Sequence, residues 1–90
     1  MEIYIGTIVE DCNGDVFIQT HVAKTAKKLA ELIDNALSVE ENERGLKIER
    51  SFDDILMDCM SGNQHREPLS LCADEDWSHE FLVSTLIISA

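Results

Sequence analysis

Basic residues are scarce in this chain: seven Lys and Arg stand against eighteen Asp and Glu, giving a formal net charge of −11 over 90 residues. Such a charge repels nucleic acid and anionic membranes and speeds encounter with basic surfaces. Direct binding to nucleic acid or to a membrane is therefore disfavoured, and a partner is expected to present a basic surface. Plain solubility or adaptation to salt is the alternative explanation of the acidity.

Glycine-rich loops and long apolar runs are absent as well. The four glycines are scattered singly, so the sequence contains no loop of the kind that cradles phosphate. The bulkiest run, Phe81 to Ile88, has eight residues, far below the ~20 apolar residues that a membrane-spanning helix needs. A phosphate-binding loop and a membrane span are both excluded by these patterns.

Cysteine occurs three times, an odd number that does not favour a disulfide scaffold. The sequence also lacks a charged start followed by an apolar stretch and a cleavage site, which is the pattern of a secretory signal. Reduced thiols in a cytoplasm fit this composition better than secretion does. We therefore expect a cytoplasmic protein with free cysteines.

The run from Phe81 to Ile88 is the most strand-like stretch of the chain, because bulky and β-branched residues occupy both of its alternating faces. Three of its large residues point one way and three the other: Phe81, Val83 and Ile87, and Leu82, Leu86 and Ile88. Apolar residues at odd and even positions alike are typical of a strand covered on both sides. We expect this run to be the central strand of a sheet.

Residues 2 to 22 predict a β-hairpin with Asn13-Gly14 as its turn, since this pair tolerates the positive φ of a two-residue turn. The turn places Val9 opposite Ile18 and Ile5 opposite Val22, so that one face of the hairpin is nearly all aliphatic. The other face is mixed, and we expect it to be partly exposed. It carries Tyr4, Ile8, Glu10, Phe17, Gln19 and His21.

Two segments have the period of amphipathic helices. The first is predicted from about Ala23 to Ser38, followed by a charged loop at 39–45 that Gly45 closes. Three lysines in its first turns are expected either to lie on a solvated face or to pair with acids elsewhere in the fold, such as Glu10 or Asp11. The second helix is predicted to open at Ser51, with Asp54 at the position of a capping-box acid, and to end at 61–63. Its predicted buried stripe is Phe52, Ile55, Leu56, Cys59 and Met60.

A short strand is expected at 69–72, pairing back on the final run, and a further one is left open at 46–49. This order of elements predicts an antiparallel sheet of three to five strands, with an N-terminal hairpin and a central C-terminal strand, and two helices on one face. Ninety residues suffice for one modest core. The chain is therefore expected to be a single two-layer domain of the α+β class.

No stretch carries a catalytic or cofactor motif. Residues 11–15 begin like a calcium loop, but the positions that need Gly and Glu are Val16 and Val22. Four soft ligands are separated by five or six residues, unlike the short pairs that bind zinc: Cys59, His65, Cys72 and His79. No local signature joins a thiol, a histidine and an orienting acid. We expect neither enzymatic activity nor a cofactor or metal.

From Asp53 to Glu80 the chain has eight acids and one base. Most of these acids form two clusters, one on the predicted exposed side of the second helix and one in the last loop: Asp53, Asp54 and Asp58, and Asp74, Glu75, Asp76 and Glu80. Carboxylates several ångströms apart can imitate a row of phosphates and occupy the basic groove of a nucleic-acid-binding protein. Trp77, an aromatic residue among acids, is a candidate interface anchor or a cap on the core beside the final strand.

The stretch Ile3-Tyr4-Ile5-Gly6-Thr7, continuing through Asn13-Gly14 to Phe17-Ile18, is similar to the opening hairpin of antirestriction DNA mimics. In its small size, acidity and compact α+β plan the chain resembles the anti-defence proteins of phages and plasmids, which include anti-CRISPR inhibitors. This resemblance implies a non-enzymatic inhibitor of a nuclease, CRISPR or restriction complex, acting in the host cytoplasm if a phage encodes it.

Two functions follow as hypotheses. In the first, the protein is an acidic inhibitor that docks through its two clusters and Trp77 on the basic surface of a nucleic-acid-processing complex. In the second, it is a structural or regulatory module that self-associates as a homodimer through a sheet edge or an apolar patch, and its acidity serves solubility only. Because a two-layer fold covers one face of its sheet well, the other face of the final strand is either met by a loop or left as such a patch.

Overall fold

The fold, obtained as a computed structural model, is described for residues 1–12, 14–62, 68–72 and 79–89. Its elements are, in chain order, β1 (Glu2–Cys12), β2 (Asp15–Ala23), α1 (Ala26–Arg44), α2 (Phe52–Ser61), β3 (Leu69–Cys72) and β4 (His79–Ser89). The four strands form one antiparallel sheet in the order β2-β1-β4-β3, and both helices pack on one of its faces. The predicted two-layer α+β fold is confirmed.

The N-terminal hairpin has the predicted register. Val9 lies opposite Ile18 in the pairing of β1 with β2, and the pairing continues to Cys12 opposite Asp15. Gly14 adopts a φ of 91°, which a side chain would disfavour. Its N–H donates a hydrogen bond to the Asp11 carboxylate at 3.2 Å. Asn13, the other predicted turn residue, lies outside the described residues.

Strand β4 occupies the interior of the sheet, between β1 and β3. It pairs with β1 along its whole length, and the short strand predicted at 69–72 pairs with its first half. The expectation that β4 is covered on both faces is wrong for its second half, where Leu86 and Ile88 are exposed. Both helices lie on the opposite side of the sheet, so only one face of β4 receives their side chains.

Helix α1 is longer than the sequence predicts. It begins at Ala26, because the Thr25 hydroxyl accepts a hydrogen bond from the Lys28 N–H at 3.1 Å, and it continues to Arg44. The predicted end at Ser38 and the loop at 39–45 are therefore wrong. This segment has no apolar period, but on a helix its charges complement each other: Arg44 Nε lies 3.0 Å from a Glu40 carboxylate oxygen one turn earlier.

Helix α2 begins and ends where the sequence predicts. Ser51 is its N-cap, and Gly62 ends it in the left-handed conformation with a φ of 70°. Within the described part of the chain Ser51 makes no side-chain capping hydrogen bond, so the predicted capping box with Asp54 is wrong. Residues 46–49 contain only an isolated bridge at Ile48 and no strand, although all four are described.

The buried stripe of α2 differs from the predicted one at both ends, and at the N-terminal end Phe52 is exposed rather than buried. Ile55 and Cys59 are fully buried, as expected, but Met60 is exposed and Asp58 is buried. The last turn of α2 lies against β4, where the Thr85 hydroxyl donates a hydrogen bond to the Asp58 carbonyl oxygen at 2.8 Å. This hydrogen bond joins the α2 backbone at position 58 to the sheet.

The core lies between the helices and one face of the sheet, which we call the covered face. Its largest fully buried side chains come from both layers: Phe81, Val83, Leu29, Ile33, Leu37, Ile55 and Cys59. Gly6 of β1 allows α1 to approach closely, since a Cβ at this position would lie 2.9 Å from Ile33 Cδ1 and 3.1 Å from Leu29 Cδ1. The absence of a side chain at Gly6 thus sets the distance between the two layers.

Candidate interaction surface

The sheet face that the helices leave uncovered is the aliphatic face of the hairpin, extended by β4. Cross-strand partners share a face, so the pairing groups the odd-numbered residues of β1 with even-numbered residues of β2 and β4. We call this surface the open face. Its apolar side chains are Ile3, Ile5, Val9, Val16, Ile18, Val22, Leu82, Leu86 and Ile88.

The open face is arranged in rows that run across three strands. Two aliphatic rows flank a row of hydroxyls, which we call the hydroxyl row: Val9, Ile18 and Leu82; Thr7, Thr20 and Ser84; Ile5, Val22 and Leu86. At one end of the face Asp11 lies opposite Glu80, and at the other end Ile3 lies opposite Ile88. Among the described residues of these three strands, the charged side chains of the open face are therefore confined to one end.

Much of the open face is accessible to solvent. Five of its aliphatic residues are between 41% and 66% exposed: Val16, Ile18, Val22, Leu86 and Ile88. With a strand spacing of about 4.8 Å and a rise of about 3.3 Å per residue, the two aliphatic rows and the hydroxyl row between them span on the order of 14 by 17 Å. Exposed apolar surface of a few hundred Å² on a soluble protein is often an interaction site.

The mixed face of the hairpin lies toward the helices and is partly exposed, as the sequence predicts. Ile8 and Glu10 are buried there. Arg44 of α1 donates a hydrogen bond from Nη1 to the Glu10 carboxylate, and its guanidinium carbon lies 5.6 Å from the centroid of the Phe17 ring. Because α1 extends to Arg44, the acid on this face is paired with the end of the helix rather than with its N-terminal lysines. On the edge strand Phe17 is half exposed, and Gln19 is exposed as well.

The predicted acidic clusters are divided by the fold. Asp53 and Asp54 are exposed in the first turn of α2, whereas Asp58 is 8% exposed, and its predicted place on the exposed side of the helix is wrong. Glu80 lies across the sheet from the helices, at the acidic end of the open face, where Ser70 Oγ donates to its carboxylate at 2.8 Å. The remaining predicted residues lie outside the described residues: Asp74, Glu75, Asp76 and Trp77.

An open depression of about 740 Å³ lies beside the start of α2, lined by Asp34, Glu41, Lys47, Ile48, Glu49, Arg50 and Phe52. Arg50 donates from Nε to Asp34 Oδ1 at 2.7 Å and from Nη2 to Ser38 Oγ at 2.9 Å, and its Nη1 lies 3.0 Å from Glu41 Oε1. Burial lowers the pKa of Arg50, but the hydrogen bonds and charges of Asp34 and Glu41 outweigh this effect, so the pKa is raised. These bonds hold the connection between the helices against α1, which is a structural role.

The described residues offer little for catalysis. Cys59 is a buried free thiol, and burial together with the charge of Asp58 raises its pKa to about 11, which makes it a poor nucleophile. In the part of the chain that the structure describes, no group of three or more His, Cys, Asp or Glu could hold a metal ion. From the four soft ligands considered above, His65 and the side chains of Cys72 and His79 fall outside that part.

The helices also bear on the membrane question. Neither of the two described helices is long and apolar enough to cross a bilayer.

Comparisons of the chain with models of protein families, with curated proteins and with solved structures found no match.

Proposed function

We propose that this protein is a non-enzymatic interaction module that binds another protein chain through its open face, and that its acidity serves solubility. The observation that carries the proposal is a three-stranded aliphatic surface with five side chains between 41% and 66% exposed. Burial of such surface contributes about 25 cal/mol per Å² of apolar area. Contact of the open face with another chain would therefore remove apolar area from water and stabilise the complex.

The helices cannot supply this cover from within the domain. The buried stripe of α1 packs on the covered face through Leu29, Ala30, Ile33 and Leu37, and α2 packs there through Ile55 and Cys59. Both apolar stripes are therefore already used. Among the described elements none remains to cover the open face, and this favours a partner outside the domain.

A second candidate function is the acidic inhibitor of a nucleic-acid-processing complex that the sequence also predicts. It is supported by the net charge of −11 and by Asp53 and Asp54, whose side chains are exposed at the start of α2. A buried Asp58 adds nothing to such a surface. In this function carboxylates would replace phosphates on a basic groove, and the binding would weaken steeply with salt.

Two variants separate the candidates. Ile18→Lys places a charge on the open face, at an exposed position of the edge strand β2, and Asp53→Asn with Asp54→Asn is the matched surface control on α2. The experiment captures a tagged copy from cells that also express an untagged copy, at low and high salt. We expect the tagged wild-type protein and the tagged α2 control to retain a partner chain. The tagged Ile18→Lys variant should fail to retain it.

High salt should leave this retention unchanged or strengthen it. Salt does not screen the burial of apolar surface, but it does screen the repulsion between two acidic chains. Retention that survives Ile18→Lys but disappears at high salt or in the α2 control would contradict the proposal and favour the acidic inhibitor.

A further inference from the structure

We infer that the open face binds a second copy of this chain, and that the two-fold axis of the dimer runs along the hydroxyl row. The inference rests on the proposed function, because it names the occupant of the same surface.

The rows of the open face are complementary to themselves under this rotation. A half-turn about an axis in the plane of the face, at right angles to the strands, keeps each strand over its equivalent and exchanges the two ends. The row of Val9, Ile18 and Leu82 in one copy then faces the row of Ile5, Val22 and Leu86 in the second. Sheets packed face to face stand about 10 Å apart with interdigitating side chains, so both aliphatic rows would lose their contact with water.

The hydroxyl row is the part of the open face along which a two-fold axis can run without leaving polar groups unpaired. Thr7, Thr20 and Ser84 would each lie near their own equivalents in the second copy. A hydroxyl group both donates and accepts a hydrogen bond, so two identical hydroxyls can pair with each other. The polar atoms at the centre of the interface are then satisfied although they are buried.

The position of the charges selects this axis over the alternative. Asp11 and Glu80 lie at one end of the face. If the axis ran parallel to the strands, these carboxylates would meet their equivalents, and like charges would be brought together in the interface. With the axis along the hydroxyl row they face the Ile3 and Ile88 end of the second copy. The two acidic ends then lie at opposite rims of the dimer, in contact with solvent.

The area of the face also bears on a second copy. The four strands are 11, 9, 4 and 11 residues long in chain order. With the usual rise and spacing, the face covers on the order of 550 Å² per copy. A standard stable interface uses about 800 Å² per partner. The open face alone thus supplies about two-thirds of that area, and a closed two-fold contact would use all of it.

Sedimentation equilibrium at micromolar concentration tests the dimer and its axis together. The expected wild-type mass is twice 10.1 kDa. Ile18→Lys and Val22→Glu each place a charge on the edge strand, at positions that are 66% and 58% exposed in one copy, so neither disturbs the core. Each dimer would carry the charge twice, and we expect the dissociation constant to rise about 100-fold or more in either variant alone.

An equimolar mixture of the two variants sharpens the test. With the axis along the hydroxyl row, Lys at 18 in one copy faces Glu at 22 in the other, so the mixture should recover a heterodimer. Asp53→Asn on α2 is the matched control and should remain a dimer. Recovery in the mixture also shows that both variants are folded.

Each other outcome overturns a stated part. A wild-type protein that stays monomeric rejects the second copy as occupant, while capture of a different protein that is lost in Ile18→Lys would keep the proposed function. A wild-type dimer with a monomeric mixture rejects the axis. A dimer that Ile18→Lys leaves intact locates the association elsewhere, such as the β2 edge, and rejects the inference and the proposed function together.

Discussion

On the covered face of the sheet Glu10 is 4% exposed, whereas Ile18, on the open face of the neighbouring strand, is 66% exposed. The covered face is the more polar of the two faces of the hairpin, and two polar groups on this side of the sheet have specific partners in the helix layer. Arg44 meets Glu10, and the Thr85 hydroxyl meets the Asp58 carbonyl oxygen. The helices therefore pack where directional contacts and the space at Gly6 admit them, and not on the most hydrophobic surface.

This difference divides the work of the sheet between its faces. The covered face determines the fold of the single chain, because its contacts are specific and dry. The open face contributes side chains that would stabilise contact with another chain but that the monomer leaves in water. Substitutions on the covered face should therefore change the stability of the monomer, and substitutions on the open face should change association.

The largest expected difference in the free energy of unfolding is that between the variants Phe81→Ala and Leu86→Ala. Phe81 is fully buried on the covered face and Leu86 is 47% exposed on the open face of the same strand. We expect Phe81→Ala to lower the free energy of unfolding by about 3–5 kcal/mol, since it opens a cavity in the core. Leu86→Ala should lower it by less than about 1 kcal/mol in the monomer. Urea unfolding at low protein concentration measures both, and equal losses would contradict the division between the faces.

Arg44→Met should have the next largest effect, with an expected loss of about 2–3 kcal/mol, because it removes the guanidinium from a buried carboxylate at Glu10. The double variant with Glu10→Gln should recover part of the loss, since the buried charge is then removed as well. Asp11→Asn, at the exposed end of the open face, is the matched control and should change little. Urea unfolding of the three variants provides the comparison. A full-sized loss in the double variant would show that packing, and not the ion pair, explains the effect.

Gly6→Ala tests how closely α1 packs on the sheet. The new methyl group would lie 2.9 Å from Ile33 Cδ1, and we expect a loss of about 1–2 kcal/mol from overpacking. Ile33→Val removes the atom that clashes, so the double variant should lose less than the sum of the two single losses. Thr7→Ala, one residue away on the open face, is the comparison. Strict additivity in thermal or urea unfolding would indicate that the two layers adjust without strain.

The smallest expected effect is the contribution of Cys59 to the pH dependence of the free energy of unfolding. Its pKa is raised from 9.0 to about 11 by burial and by Asp58. A thiol with a higher pKa in the folded state holds its proton more tightly there, so its contribution is complete below pH 9 and is lost as the pH rises toward 11. The loss should reach about 1.4 kcal/mol by about pH 10. Cys59→Ala should lack this part of the decline, and identical pH profiles would contradict the assignment.

The sequence predicts well those parts of the fold that local rules determine. The Asn13-Gly14 pair fixes the hairpin register, Gly62 ends α2, and the β-branched run from Phe81 marks the central strand. Each of these depends on residues close together in the chain, and the structure confirms the register, the helix end and the strand.

The rest depends on contacts between distant residues. The part of α1 from residue 39 onward has no apolar period, and it is held by side chains that find partners only in the folded state, as when Glu41 accepts a hydrogen bond from the Ile48 N–H at 2.8 Å. The buried Asp58 is likewise joined to the sheet through its backbone carbonyl by the hydroxyl of Thr85, which is 27 residues away. The choice of the face that the helices cover is of the same kind, because the hairpin pattern favours the aliphatic face and only the helix layer decides otherwise.

The pairing of β1 with β4 also affects the rate at which the chain folds. Glu2 pairs with Ser89, so the two central strands of the sheet are joined across almost the whole chain. Closing so long a loop costs entropy before any contact is gained, and folds rich in such contacts form slowly, in about milliseconds to seconds. During synthesis the hairpin must wait for the strand that completes it. The surface that would receive another chain is finished by that same strand, so only a copy that has folded completely can present it.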